Sequence, residues 1–172
     1  GQEHVDIVND ISELVGRTPM LHLQKLFPDA PATVLGKLEL FNPMSVKDRP
    51  VRHIIQTALE RGEIKPGTEL VEASSGNTAI AIAMFGAVYG FPVRIFMSDL
   101  CSVERFQILN SFGARVVLTP GAEHTRGARK RAIAYCEERP GEAFFVNQHS
   151  NPYNSEAHAT TTGPEIWEQT RG

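Results

Sequence analysis

A lysine precedes a predicted amphipathic helix, where its amine can act as a covalent catalyst. The apolar residues that follow it recur with helical spacing, at Val51, Ile54, Ile55, Ala58 and Leu59. Pro50 lacks an amide hydrogen and fits only the first turn of a helix, so the regular helix begins near Lys47. Most lysines are simply exposed to solvent, so this placement alone leaves a catalytic amine and a solvated surface lysine as alternatives.

A second candidate site lies where a predicted strand, residues 68–72, is followed by a polar turn and a helix that starts at residue 77. The junction carries three hydroxyl groups, at Ser74, Ser75 and Thr78. Unpaired backbone N–H groups and the helix dipole at such a junction favour a carboxylate or a phosphate. The alternative is that Ser75 or Asn77 merely caps the helix. The hydroxyls are denser than one cap requires, and the helix is apolar nearly all round, which places its start inside the molecule.

Four motifs in this order and spacing resemble one family, the cysteine synthase and cystathionine β-synthase group of fold-type II enzymes that depend on pyridoxal phosphate. They are Val-Gly-Arg-Thr-Pro-Met (15–20), Ser-Val-Lys-Asp-Arg (45–49), Ser-Ser-Gly-Asn-Thr (74–78) and Thr-Thr-Gly-Pro-Glu-Ile-Trp (161–167). Ser-Val-Glu-Arg (102–105) and Asn-Pro-Tyr-Asn (151–154) lie between them, so the resemblance covers nearly the whole chain.

The resemblance implies a role for each matching residue. Lys47 matches the lysine that forms a Schiff base with the cofactor aldehyde and later moves the α-proton. Asn77 matches the residue that hydrogen-bonds the ring hydroxyl of the cofactor. The residues that match the binding site for the substrate carboxylate are Ser74, Ser75, Thr78 and Gln148. A carboxylate held by several donors orients the Cα–H bond for removal.

The chain departs from the family pattern at two positions. Met44 stands alone where the family usually has two residues between the Asn-Pro pair and the Ser-Val-Lys run, a deletion that can shift the approach of Lys47 to the cofactor. His149 stands where the resemblance implies an aromatic residue such as Phe. This histidine either packs as that ring would or tunes the contact with the substrate.

The resemblance also implies a chain about twice as long. Members of the family carry a second half, which holds the glycine-rich loop around the cofactor phosphate. No Gly-x-Gly-x-x-Gly or Gly-x-x-x-x-Gly-Lys-Ser/Thr motif occurs in this sequence. We therefore expect residues 1–172 to be the amino-terminal region of such an enzyme, whose partner is the missing carboxyl-terminal half or a second chain. Alone, the chain should bind the cofactor weakly and be inactive; complete, it should form a homodimer.

Composition favours a soluble cytoplasmic protein. The net charge of −3 gives no reason to expect nucleic acid or a membrane surface as a partner, and no apolar run is long enough to span a bilayer. Cys101 and Cys136 stand far apart, which is typical of free thiols in a reducing compartment. The six histidines form no zinc-binding pattern, so no metal site is predicted.

Strands and helices alternate along the sequence, which predicts an α/β fold with a doubly wound, mostly parallel sheet and helices on both faces. The predicted strands are 34–40, 68–72, 93–97, 114–119 and 144–146. Between them lie the helix of Lys47 and predicted helices at 77–89, 102–112 and 125–139. The helix at 102–112 is expected to bury a stripe formed by Val103, Phe106, Leu109 and Phe112. The resemblance implies that 89–138 is a small mobile subdomain that closes over the substrate.

Three functions are compatible with these features. The first is β-replacement on an activated serine, as in cysteine synthesis. The second is another reaction of the same cofactor, such as diaminopropionate synthesis or serine dehydration. The third is a non-catalytic half that binds a partner or a small carboxylate.

Overall fold

The computed structural model describes residues 7–172 of the predicted amino-terminal region 1–172. Residues 1–6, which include His4, lie outside the described residues. The strands are β1 (Met20–His22), β2 (Leu35–Lys37), β3 (Glu69–Ala73), β4 (Val93–Ser98), β5 (Arg115–Thr119) and β6 (Ala143–Phe145). The helices are α1 (Asp48–Glu60), α2 (Asn77–Tyr89), α3 (Val103–Ser111), α4 (His124–Glu137), α5 (Pro152–Ala157) and α6 (Gly163–Thr170). A π-helical turn, His158–Thr162, joins α5 to α6.

The last four strands form one parallel sheet in the order β5-β4-β3-β6. Strand β3 therefore pairs with β6, although about 70 residues separate them along the chain. The carboxyl ends of parallel strands meet at one edge of a sheet, which places the segment after β3 beside the segment after β6. This adjacency assembles the candidate site.

Apolar residues cover both faces of the sheet. One cluster joins α1 and α2 to the sheet and includes Ile54, Phe85 and Ile95, all buried. The other packs α4 against the opposite face through Ala128 and Ala132. The sheet thus has helices on both faces, as the alternating pattern predicts.

Helix α2 is buried along most of its length and packs very closely on the sheet. A Cβ atom added to Gly86 would lie 2.2 Å from Val93 Cγ2 and 3.0 Å from the carbonyl oxygen of Phe91. Only glycine lets the helix approach strand β4 so closely. Gly90, with φ of +77°, then ends the helix in a left-handed conformation.

Two sequence predictions are wrong in detail. Only Leu35–Lys37 of the expected strand 34–40 is extended, and it pairs antiparallel with β1 in a separate two-stranded sheet. In α3, Leu109 is buried, but Val103 is 66% exposed and Phe106 is 37% exposed, so the predicted stripe is not buried as a whole. The mobility of 89–138 stays a prediction; its strands β4 and β5 belong to the same sheet as β3.

Candidate functional site

The loop after β3 leaves the start of α2 without a side-chain cap. Gly76 is the residue that precedes α2, and no side chain caps that helix. Ser74 Oγ accepts a hydrogen bond from the Gly76 amide at 3.1 Å, which shapes the turn itself. Asn77, the first residue of α2, is exposed. The simple capping role for Ser75 or Asn77 is therefore wrong, and the helix start keeps donors for a ligand.

Thr78 and Gln148 meet across the site. Thr78 Oγ1 donates a hydrogen bond to Gln148 Oε1 at 3.2 Å, and both residues are buried. Gln148 follows β6, so the pairing of β3 with β6 is what brings these two residues together. Asn154 Nδ2 donates to the main-chain oxygen of Gln148 at 3.1 Å and holds that segment in place. We use the name carboxylate clamp for Ser74, Ser75, Thr78 and Gln148, the residues that the sequence resemblance predicts to bind the substrate carboxylate.

A buried carboxyl group lies directly behind the clamp. Glu72, in β3, is 2% exposed. Its Oε1 accepts a hydrogen bond from the Ala73 amide at 2.8 Å, and its Oε2 accepts one from the Gln148 amide at 3.0 Å. Burial raises the pKa of Glu72, and these two amides only partly offset that effect. The sequence offered one signal for this residue, an acidic side chain at the end of a predicted strand in a sheet expected to have helices on both faces.

Lys47 lies just before the first residue of α1 and is partly exposed. Its own amide donates to Ser45 Oγ at 3.1 Å. Asp48 Oδ2 accepts hydrogen bonds from the amides of Met44 (2.7 Å) and Ser45 (3.2 Å), which closes the short turn that precedes the lysine. Within residues 7–172, no hydrogen bond or ion pair joins the Lys47 amine to another side chain or to the clamp. The structure places Lys47 at a helix start, as predicted, and among the described residues its amine forms no hydrogen bond with the clamp.

An ion-pair cluster that sequence reasoning missed fixes the start of α1. Arg49, 4% exposed, donates two hydrogen bonds to Glu39, at 2.8 and 2.7 Å, and two to Glu165, at 2.8 and 2.9 Å. Lys37 Nζ lies 2.7 Å from Glu165 Oε2, and Thr18 Oγ1 donates to Glu39 Oε1 at 2.6 Å. Three of the four sequence motifs therefore converge on one guanidinium group.

This cluster lowers the pKa values of its two carboxyl groups. Burial is the largest single effect and alone would raise the pKa values of Glu39 and Glu165. The hydrogen bonds and charge of Arg49 outweigh it only together with hydrogen bonds from Thr18 and Asn42 to Glu39, and from Lys37 and the Arg17 amide to Glu165; the sum lowers both pKa values to about 2. The same two carboxylates more than offset the burial of Arg49 and raise its pKa. Both glutamates are therefore ionised at neutral pH. Through Arg49, Glu165 holds α1 against α6, and Glu39 holds α1 against the segment that precedes it.

Comparison with known proteins gives this arrangement a family. Residues 11–172 match the family model described as pyridoxal-phosphate dependent enzyme. The chain belongs to this family. Cysteine synthase B of Salmonella typhimurium is 45% identical over 96% of the chain, and cysteine synthase A of Escherichia coli is 41% identical over 96%. The chain spans about half the length of these relatives, 54% and 51% respectively.

Solved structures agree with the sequence relatives. A cysteine synthase from Entamoeba histolytica superposes over 100% of the chain and 52% of its own, with a TM-score of 0.91 and 41% identity. An O-ureido-L-serine synthase superposes over 94% of the chain and 51% of its own, with a TM-score of 0.84 and 37% identity. The predicted resemblance and the fold-type II architecture are confirmed, and pyridoxal phosphate is the cofactor of the family.

The described residues fit one end of this cofactor. Lys47 offers an amine with no protein partner in residues 7–172, and Asn77 offers an exposed amide at a helix start. The hydroxyls of Ser74 and Ser75 and the side-chain amide nitrogen of Gln148 are donors suited to a carboxylate, whereas the Thr78 hydroxyl donates to Gln148. The glycines of the chain, in contrast, include no glycine-rich run that resembles a phosphate-binding loop.

Among residues 7–172 there is no group of three or more acidic, histidine or cysteine side chains that could hold a metal ion. No helix in the same range is long and apolar enough to cross a membrane.

Proposed function

We propose that the chain is the amino-terminal part of an enzyme that performs pyridoxal-phosphate-dependent β-replacement on an activated serine, in the manner of a cysteine synthase. The observation that supports this most is the carboxylate clamp, in which Thr78 and Gln148 meet at a helix start that carries no side-chain cap. Membership of the family and the cysteine synthase relatives support the same reaction.

Each residue of the site then has a defined task. Pyridoxal phosphate, when bound, supplies an aldehyde for a lysine amine and an electron sink for the charge left at Cα. Lys47 would hold the cofactor covalently, and its amine would move the proton at Cα of the amino acid. The clamp binds the substrate carboxylate and so orients the Cα–H bond toward that amine. Asn77 would hydrogen-bond the ring hydroxyl oxygen of the cofactor.

The rest of the assembly is also proposed. We place the phosphate site in a segment outside these 172 residues, since relatives of this chain are about twice as long. The chain alone then binds the cofactor weakly and does not turn over substrate. Gel filtration with absorbance detection tests this: stoichiometric cofactor eluting with the lone chain, together with turnover, contradicts it. The homodimer is proposed from the resemblance, and the cytoplasmic location from the composition and the two separated cysteines.

The assignment of Lys47 is tested by trapping. Borohydride reduction of the cofactor-loaded complete or complemented protein, followed by peptide mapping, should place the pyridoxyl label on Lys47. Lys47→Ala should abolish the visible absorption of the bound cofactor, while Lys65→Ala, at an exposed lysine, should leave it unchanged. A label on any other lysine contradicts the assignment.

A second reaction of the same chemistry also has an observation in its favour. The O-ureido-L-serine synthase is named for a different β-substituted serine, and it shares the fold of this chain at 37% identity. Product analysis with sulfide, homocysteine and an amine donor distinguishes cysteine synthesis from such a reaction, from diaminopropionate synthesis and from serine dehydration. A complete protein with no cofactor absorbance would instead favour the non-catalytic half.

A further inference from the structure

We propose that Glu72 is a positioning residue, which holds the two segments of the carboxylate clamp in register through the Ala73 and Gln148 amides. This role rests on the proposed function only for its consequence, the binding of an amino-acid carboxylate. The contacts themselves belong to the fold of residues 7–172.

The geometry forms a closed ring. One oxygen of Glu72 accepts from the Ala73 amide at 2.8 Å, directly before the loop that carries Ser74 and Ser75. The other oxygen accepts from the Gln148 amide at 3.0 Å. The ring closes where Thr78 Oγ1 meets Gln148 Oε1 at 3.2 Å. One carboxyl group thus links the amide before the serine loop to the amide of Gln148, and a shift of Gln148 relative to β3 breaks a hydrogen bond to Glu72.

The burial of Glu72 is costly, which argues for a specific role. The side chain is 2% exposed, and none of the ion pairs within residues 7–172 includes it. A buried carboxyl group without an opposite charge in contact destabilises a fold unless hydrogen bonds satisfy it. An apolar residue would serve packing alone, whereas a carboxylate can accept two amide hydrogens in different directions. The two hydrogen bonds to amides therefore account for a carboxyl group at a position where burying it destabilises the fold.

Protonation should loosen the ring. A neutral carboxyl group turns one of its oxygens into a donor, so it can no longer accept equally from both amides. Burial raises the pKa of Glu72, which brings this change closer to neutral pH. The other titratable or charged groups that act on Glu72 are His149, Arg129 and Cys136. Glu72→Gln has the shape of the neutral acid and should reproduce its effect at every pH.

The first test needs no cofactor. Amide hydrogen exchange of the 172-residue chain is measured by mass spectrometry for wild type, Glu72→Gln and Glu69→Gln. The control residue lies in the same strand and pairs with Arg94 at 3.0 Å. Peptides that cover residues 73–78 and 146–150 should exchange roughly tenfold faster in Glu72→Gln, which is the effect of one lost hydrogen bond. They should be unchanged in Glu69→Gln. Unchanged exchange in both variants overturns the proposal.

The second test measures the clamp itself in the cofactor-loaded complete protein. Affinity for an amino-acid substrate should fall about tenfold in Glu72→Gln, while affinity for the cofactor stays the same. In the double variant with Thr78→Ala the two losses should be less than additive, because both substitutions disable the same ring. Fully additive losses, or an unchanged affinity, mean that Glu72 only stabilises the fold.

The pH dependence separates Glu72 from its neighbours. The ratio of wild-type to Glu72→Gln affinity should shrink toward one as the pH falls, and this trend should persist in a His149→Gln background. A ratio that is constant with pH overturns the part of the proposal that concerns protonation. Should Glu72→Gln fail to fold, Glu72→Asp keeps the charge but is too short to reach both amides, and the same measurements apply. If the wild-type protein binds no cofactor, the proposed function fails, while the exchange experiment still decides the role of Glu72.

Discussion

The replacement of Arg49 by methionine should destabilise the fold more than the loss of an exposed ion pair does. Methionine keeps most of the length of the side chain but removes the guanidinium group that joins Glu39 to Glu165. These two carboxylates are only 13% and 20% exposed, so water screens them weakly once their partner is gone. Loss of one partner from a buried ion pair typically costs about 3–5 kcal/mol.

The pKa values lead to the same order of magnitude. Each carboxyl group titrates at about 2 in the folded chain instead of its ordinary value of 4.5. A shift of this size corresponds to roughly 3 kcal/mol per group, and the two contributions overlap because they share one guanidinium. Since the folded-state pKa lies below the unfolded-state pKa, this stability is fully present above about pH 5. It is lost as the pH falls toward 2.

Chemical denaturation of the 172-residue chain at several pH values measures both effects. At pH 7 we expect the free energy of unfolding of Arg49→Met to be about 3–5 kcal/mol below that of wild type. Wild type should lose stability between pH 5 and pH 2, whereas Arg49→Met should change much less over that range. Arg131→Met is the matched control, because Arg131 and Glu123 form an ion pair in which each side chain is more than 40% exposed. Its effect should stay below about 1 kcal/mol.

The reasoning is refuted if Arg49→Met unfolds within about 1 kcal/mol of wild type at pH 7, like the exposed control. It is also refuted if the two proteins keep the same pH dependence. The free energy of unfolding of Arg49→Lys should lie between those of wild type and Arg49→Met, because an ammonium group keeps the charge but cannot bind two carboxylates in the forked geometry.

Three further predictions concern other parts of the chain. Thr78→Ala or Gln148→Ala should weaken amino-acid binding by the cofactor-loaded complete protein at a cost of about 1.5–3 kcal/mol, while cofactor binding is spared; spectral titration measures both, and unchanged affinity in both variants would show that the loop is only structural. Gly86→Ala should lower the free energy of unfolding by about 1–3 kcal/mol because the new Cβ overlaps β4; Gly36→Ala, with no atom closer than 3.7 Å, is the control, and equal losses would contradict the argument. Burial raises the pKa of Cys136 to about 11, so iodoacetamide at pH 8 should alkylate it about a hundredfold more slowly in the folded chain than in urea; equal rates would show that the thiol is not protected.

Much of the fold can be read from local sequence patterns. Helix α2 was predicted at its observed bounds, and α1 begins just after Lys47, as the position of Pro50 requires. The parallel sheet with helices on both faces follows from the alternation of strands and helices. These features depend on periodicity and on neighbouring residues, which the sequence displays directly. The motifs likewise indicate the family, and the comparisons confirm it.

Local patterns failed where burial depends on what packs nearby. The apolar spacing of α3 predicts a buried stripe, but Val103 is largely exposed because no described element covers it. Residues 34–40 look like a strand of the main sheet, yet Leu35–Lys37 pairs with Met20–His22 instead. Hydrophobic periodicity tells which face of an element is apolar, but the partner of that face is decided by the rest of the chain.

The sequence by itself determined the residue types available for chemistry, Lys47 and the hydroxyls near residue 76 among them. Only the tertiary structure decided which distant residues act together. Gln148 reaches Thr78 because strand β6 inserts beside β3, and Arg49 joins Glu39 to Glu165 across more than 100 residues of chain. The physical reason is that strand order and the pairing of buried charges depend on contacts between distant residues, because burying a charged or polar group is costly unless another part of the chain supplies its partner. Glu72 illustrates this well: its sequence position marks a buried acid, but its two amide partners exist only in the folded sheet.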